Sequence, residues 1–220
     1  KSAFFYPGVL FTVAIGVTIF MLMNVVPTFV KMYEGMGMGD DLPTPTAVIM
    51  SMSEFLRSSG GLILFILIVT SVVGFRYLIS KNYNIRKSWH AFTLKMPIFG
   101  NLLKKSILAK VSMVLGNLNQ AGVDLIESID IAKSVTTNTI VIEALENIKK
   151  GVFSGDTLTS LFNKEKVFPS TFSQLISVGE QTGSLDDMFG SVASYYEEEF
   201  DVAVGNLSSL IEPIMIVFMG

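Results

Sequence analysis

Apolar positions follow two patterns along this chain. In three places they run on with little or no charge, and between the second and third of these they recur at helical spacing. Residues 2–30 carry no charged side chain, and neither do residues 58–75, between Arg57 and Arg76. A helix crossing a bilayer needs about 20 mostly apolar residues. The first stretch exceeds that length, and the second approaches it before its flanking arginines are counted. From Val202 to Gly220 the only charge is Glu212. The pattern predicts an all-α protein with three transmembrane helices, at 1–30, 58–80 and 204–220, the last one truncated. An extracytoplasmic loop is expected at 31–57 and a cytoplasmic antiparallel helix bundle at 81–203.

Inside that bundle the apolar period is close to 3.6, and helix start and stop signals are dense. Ile85, Trp89, Phe92 and Met96 form one apolar stripe, and Pro97 ends that helix. Leu103, Ile107, Val111, Val114 and Leu118 form the next, closed by Gly122. Asp124 is placed to cap a third helix, with Glu127 as its capping-box partner and Leu125, Ile126, Ile129 and Ala132 inside. Asn138 caps a fourth, through Val141, Ala144, Leu145 and Ile148. Asp156 is expected to open a short fifth with Leu158, Leu161 and Phe162. Ser170, after Phe168-Pro169, opens a sixth with Phe172, Leu175 and Ile176. Ser184 is expected to cap a long last helix through Leu185, Met188, Phe189, Val192 and Tyr196, which is expected to continue into the third span. Short connections imply antiparallel neighbours.

Charge adds orientation. Hydrophobic residues make up 50% of the chain and charged ones 16%, below the roughly 25% of an ordinary soluble domain. Arg76, Lys81, Arg86, Lys87, Lys95, Lys104, Lys105 and Lys110 follow the second span with no acid among them, whereas no basic residue follows Lys166. Basic residues near a span end stay on the cytoplasmic side. Residues 81–203 are therefore expected in the cytoplasm, and the cluster is also suited to anionic membrane lipid.

Candidate chemistry is sparse. With no cysteine and one histidine, His90, neither thiolate catalysis nor a two-histidine metal site fits a single chain. No phosphate-binding loop of the G-x-x-x-x-G-K-[ST] kind occurs. No catalytic residue, metal ligand or cofactor is expected. The loop Gly35-Met36-Gly37-Met38-Gly39 reads as flexible filler rather than a thioether copper site. Glu197, Glu198, Glu199 and Asp201 read as a solvated helix face. Gly179-Glu180-Gln181-Thr182-Gly183 has two readings: helix punctuation with Glu180 paired locally, or a partner-facing corner. Glu212-Pro213, inside the third stretch, is either an interfacial carboxylate or an intramembrane functional group.

The string Met96-Pro97-Ile98-Phe99-Gly100 is followed by Leu118-Asn119-Gln120-Ala121-Gly122-Val123-Asp124-Leu125, then Gly151, Gly155 and Phe168-Pro169. Gly179 to Leu185, Tyr195-Tyr196-Glu197-Glu198-Glu199 and Glu212-Pro213 complete the series, and Tyr6-Pro7, Val26-Pro27 and Leu42-Pro43-Thr44 precede it. In order and spacing the set resembles the inner-membrane platform protein shared by type II secretion systems and type IV pilus machines. That resemblance implies a chain lacking the family's first cytoplasmic domain. It implies a non-enzymatic, homo-oligomeric platform in the bacterial inner membrane. The implied partners are a cytoplasmic assembly or retraction ATPase, pilin or pseudopilin subunits and other inner-membrane assembly proteins, with no nucleic acid. Pro97, Gly122, Pro169, Gly179, Glu180, Gly183, Glu212 and Pro213 are the motif positions it singles out. A small transporter or channel is the alternative, with Thr12, Thr18, Asn24, Thr70, Ser71 and Glu212 as its polar groups.

Overall fold

The computed structural model describes residues 5–35, 48–49, 51, 53–55 and 58–219. Its contacts divide the chain into two compact units, Lys1–Leu78 with Ile211–Gly220, and Ile79–Leu210. No strand occurs among the described residues. Gly37, Met38 and Leu42-Pro43-Thr44 lie outside them.

In the first unit, α1 (Phe5–Phe20) leads through a π-helical turn (Met21–Val25) into α2 (Val26–Gly35). Helix α3 spans Ser59–Lys81. Two segments are long and apolar enough to cross a membrane, Gly8–Phe29 and Ser59–Lys81, each with mean hydropathy 2.4. Almost nothing in either is buried by protein. The π turn has a local cause. In that register the Val26 N–H donates to the Met21 carbonyl, and the next donor would serve Leu22. That next residue is Pro27, which has no N–H. The Ser53 hydroxyl donates to the Leu22 carbonyl instead. In an apolar solvent such a carbonyl is costly to leave unpaired.

The second unit is a bundle of α4 (Tyr83–Lys95), α5 (Phe99–Gln120), α6 (Leu125–Ser134), α7 (Thr139–Phe153), α8 (Leu158–Lys164), α9 (Ser170–Thr182) and the first part of α10 (Leu185–Met219). Its core holds Val111 and Leu115 of α5, Ile129 and Ala132 of α6, and Leu145 and Ile148 of α7. Phe162, Phe172, Ile176, Phe189 and Val192 complete it. The aromatic rings cluster: Phe162 lies 4.8 Å from both Phe168 and Phe172, and 6.4 Å from Phe189, between ring centroids. Asp124 and Asn138 cap α6 and α7, accepting from the N–H groups of Ile126 and Ile140 at 3.0 Å each. Lys133 bridges Asp130 at 2.5 Å and Glu146 at 2.6 Å, tying α6 to α7. Helix α10 runs unbroken for 35 residues, with Pro213 inside it.

Three expectations need correction. Ile85, Trp89 and Phe92 of the stripe lie on α4 and Met96 is the residue just past its end, yet α4 buries none of its residues in the bundle. Leu103, expected on the inner face of α5, is exposed, because the packed face is centred on Leu108, Val111 and Leu115. Asp156 does not cap α8. Thr157 occupies the cap position and makes no side-chain cap bond there.

Candidate functional site

The sharpest motif closes the corner between α9 and α10. Helix α9 begins after Pro169, whose carbonyl accepts from the Phe172 N–H at 3.0 Å. The helix ends at Gly183, whose φ of 73° lies in the left-handed region where a β-branched residue is strained. Both the Gly183 and Ser184 N–H groups donate to the Gly179 carbonyl, the latter at 3.0 Å. This pattern satisfies a helix C-terminus. Gly179 itself faces the first turn of α10. A Cβ there would sit 2.7 Å from Met188 Cγ, 2.8 Å from Met188 Cβ and 3.2 Å from Leu185 Cα. The two helices meet where only a hydrogen fits.

Glu180 turns the other way, onto α8. Its Oε1 accepts from the Leu158 N–H at 2.7 Å. Its Oε2 accepts from the Thr159 N–H at 3.1 Å and from the Thr159 hydroxyl at 2.7 Å. A short helix with no side-chain bond from its own cap residue thus receives an N-cap from 22 residues away. Partial burial pushes the Glu180 carboxyl up, but the Thr159 hydroxyl and the Thr159 and Leu158 N–H groups outweigh it and hold it below its usual value. Every oxygen of this carboxylate is engaged inside the bundle. Nothing in the sequence around Glu180 signals that partner, because Asp156 and Thr157 both offer local capping chemistry that the structure leaves unused.

Other motif positions are not gathered into this corner. Gly122 closes the α5–α6 turn, its N–H bonded to the Asn119 carbonyl at 2.9 Å. Pro97 forms the α4–α5 turn. Within the acidic run, Glu199 bridges Lys105 at 2.7 Å, pinning α10 to α5. His90, read as chemically idle, is structural: its Nδ1 accepts from the Thr139 N–H at 2.9 Å at the start of α7. Burial and the nearby Arg86 push its pKa down. Glu212 and Pro213 lie within α10, in its continuation beyond the bundle, and the Glu212 carboxylate lies outside the described side chains.

The class is an all-α membrane protein with a helical bundle, and its site is a helix corner rather than a pocket of reactive groups. Residues 112–220 match the family model described as type II secretion system protein F. The type IV pilus assembly protein PilC of Thermus thermophilus is 36% identical over 221 residues, covering 100% of this chain and 53% of the relative. PilC of Myxococcus xanthus is 34% identical, covering 100% and 52%. The type II secretion system protein F of Pseudomonas aeruginosa is 31% identical, covering 100% and 53%. Residues 112–220 carry this protein F family domain, and the chain spans about half the length of the curated relatives it matches.

Proposed function

We propose that the chain is a non-enzymatic inner-membrane platform of a type IV pilus or type II secretion machine. In this reading three spans hold it in the bilayer, the bundle lies in the cytoplasm, and several copies assemble beneath the growing filament. The bundle receives motion from an ATPase and passes it to the spans, which insert pilin or pseudopilin subunits. One observation carries the mechanical part: α10 is a single helix whose Phe189, Val192 and Tyr196 sit in the bundle core and whose far end is the apolar segment containing Glu212 and Pro213. A helix without a break transmits displacement along its axis. The family and the names of the relatives support the setting.

The transporter reading is weaker. Thr12, Thr18, Asn24 and Thr70 each donate to a carbonyl four residues back, at 2.8, 2.9, 3.1 and 2.7 Å. Groups bonded to their own helix are poor candidates for lining a polar path.

Three experiments test the proposal. A cysteine at Asn163 should be protected from an impermeant thiol reagent in intact cells while one at Gly37 labels; the reverse labelling overturns the topology. Inserting three glycines after Asp201 should leave membrane insertion intact and abolish filament assembly. Normal assembly by that variant overturns the shaft. The Glu212→Gln variant should insert and fail to assemble, and full assembly would return Glu212 to an interfacial role.

A further inference from the structure

Helix α4 turns its apolar stripe away from the bundle. Its bundle side is marked by four residues. Tyr83 and Lys87 reach Glu143 of α7, the latter at 2.6 Å. His90 meets Thr139, and Leu94 packs on the core. At about 100° per residue, Ile85, Trp89, Phe92 and Met96 project from the other side. Phe92 is 55% exposed and Trp89 37%, their rings 5.8 Å apart. The next turn extends the apolar surface with Ile98, 52% exposed, and Phe99, 56% exposed.

That turn is held against local preference. Ile98 has φ 66° and ψ −64°, and the Phe99 N–H donates to the Pro97 carbonyl at 2.8 Å. This is a γ-turn of the strained hand, centred on a β-branched residue. The strain is spent on an exposed isoleucine, not on a core contact.

Charge and tether say what faces this surface. Lys87 and Lys105 are paired with Glu143 and Glu199. Lys95, next to Met96, and the half-buried Lys104, five residues past Phe99 on α5, hold no ion pair among the described residues. Helix α3 ends at Lys81 and α4 starts at Tyr83, so only Asn82 separates them. One residue reaches about 3.5 Å. Where α3 crosses a bilayer, α4 begins at its surface.

We propose that α4 and the Pro97–Phe99 turn form a membrane-surface element. Phe92, Met96, Ile98 and Phe99 seat in the headgroup–acyl boundary of an anionic leaflet, and Lys95 and Lys104 meet lipid phosphates. Aromatic and aliphatic side chains with flanking lysines are the composition that such interfacial helices need. The proposal rests on α3 spanning the membrane, as in the platform reading.

Trp89 is the only tryptophan and serves as a native probe. The full chain is placed in nanodiscs of phosphatidylcholine and phosphatidylglycerol, with and without acyl-brominated phosphatidylcholine. Trp89 emission should shift to the blue and lose most of its intensity to the bromine. The Lys95→Glu/Lys104→Glu double variant should restore part of it. A bimane on Asn163→Cys should stay unquenched, and one on Leu67→Cys in mid-α3 should be quenched. Unquenched Trp89 with quenched Leu67→Cys overturns the proposal and leaves the span standing. An unquenched label at Leu67→Cys overturns the span reading and this proposal together. Trp89 shielded from aqueous quencher only when two copies share a disc, with no bromine effect, assigns the face to a protein contact and also overturns it.

Discussion

Two corners of the bundle are written in the same punctuation of glycine, proline and short apolar runs, and they behave in opposite ways. At the α9–α10 corner every local rule is obeyed. The left-handed position holds a glycine, the tight approach holds a glycine, and the carboxylate between them satisfies three donors. At the α4–α5 corner the positive φ falls on isoleucine, and the apolar side chains face outward. The first corner is explained by the bundle alone. The second makes sense when something beyond the bundle covers it. The conspicuous motif makes its contacts within the bundle, and the plain one leaves apolar side chains uncovered by it.

Substitutions can break or sharpen that contrast. The largest effect is expected at Gly179. Changing it to valine forces side-chain atoms into Met188 and Leu185 and should cost about 3 kcal/mol. Thermal unfolding of the chain in detergent measures it, and an unchanged midpoint would mean the corner is looser than described. Glu180→Ala should follow, at about 1–2 kcal/mol, because it strips the cap from α8. Glu180→Gln keeps one acceptor and should cost less. Because the folded carboxyl is held below its usual value, its contribution is present above that value and is lost as pH falls through the folded pKa. The glutamine variant should lack this acid-side loss.

The positive-φ residues of these two corners should respond with opposite signs. Gly183→Val should destabilise by about 1–2 kcal/mol. Ile98→Gly should leave stability unchanged or raise it by about 1 kcal/mol, since backbone strain is relieved and no core contact is lost. Ile98→Gly unfolding well below the parent would show that the isoleucine packs inward, and the contrast between the corners would fall.

The smallest effect belongs to His90. The Thr139 N–H needs an unprotonated Nδ1, and burial, followed by the nearby Arg86, disfavours a cation there. With the folded pKa below the usual 6.5, protonation is easier in the unfolded chain. Stability should therefore fall slightly as pH drops below about 6.5. A His90→Asn variant should show no such slope in circular dichroism melts across that range.

Much of the architecture was legible in the residue pattern. Uncharged runs of span length, period-3.6 stripes in α6 to α9, and the Asp124 and Asn138 caps depend on neighbours within a few residues. Local chemistry decides them, so reading the chain alone gives them correctly. The long continuous α10 was legible for the same reason, since no strong breaker falls between Leu185 and Glu212.

Three things were decided only by tertiary structure. The Glu180 carboxylate caps a helix 22 residues away, a partner that no local spacing specifies. The Ser53 hydroxyl finds the carbonyl that Pro27 leaves open, 31 residues off. The α4 stripe has the right period for a core face and is turned outward, because Tyr83, Lys87 and His90 bind α7 from the other side. Periodicity says that a helix has an apolar face. It does not say what lies against that face, because the direction of a helix about its own axis is set by the contacts it makes with elements distant in sequence.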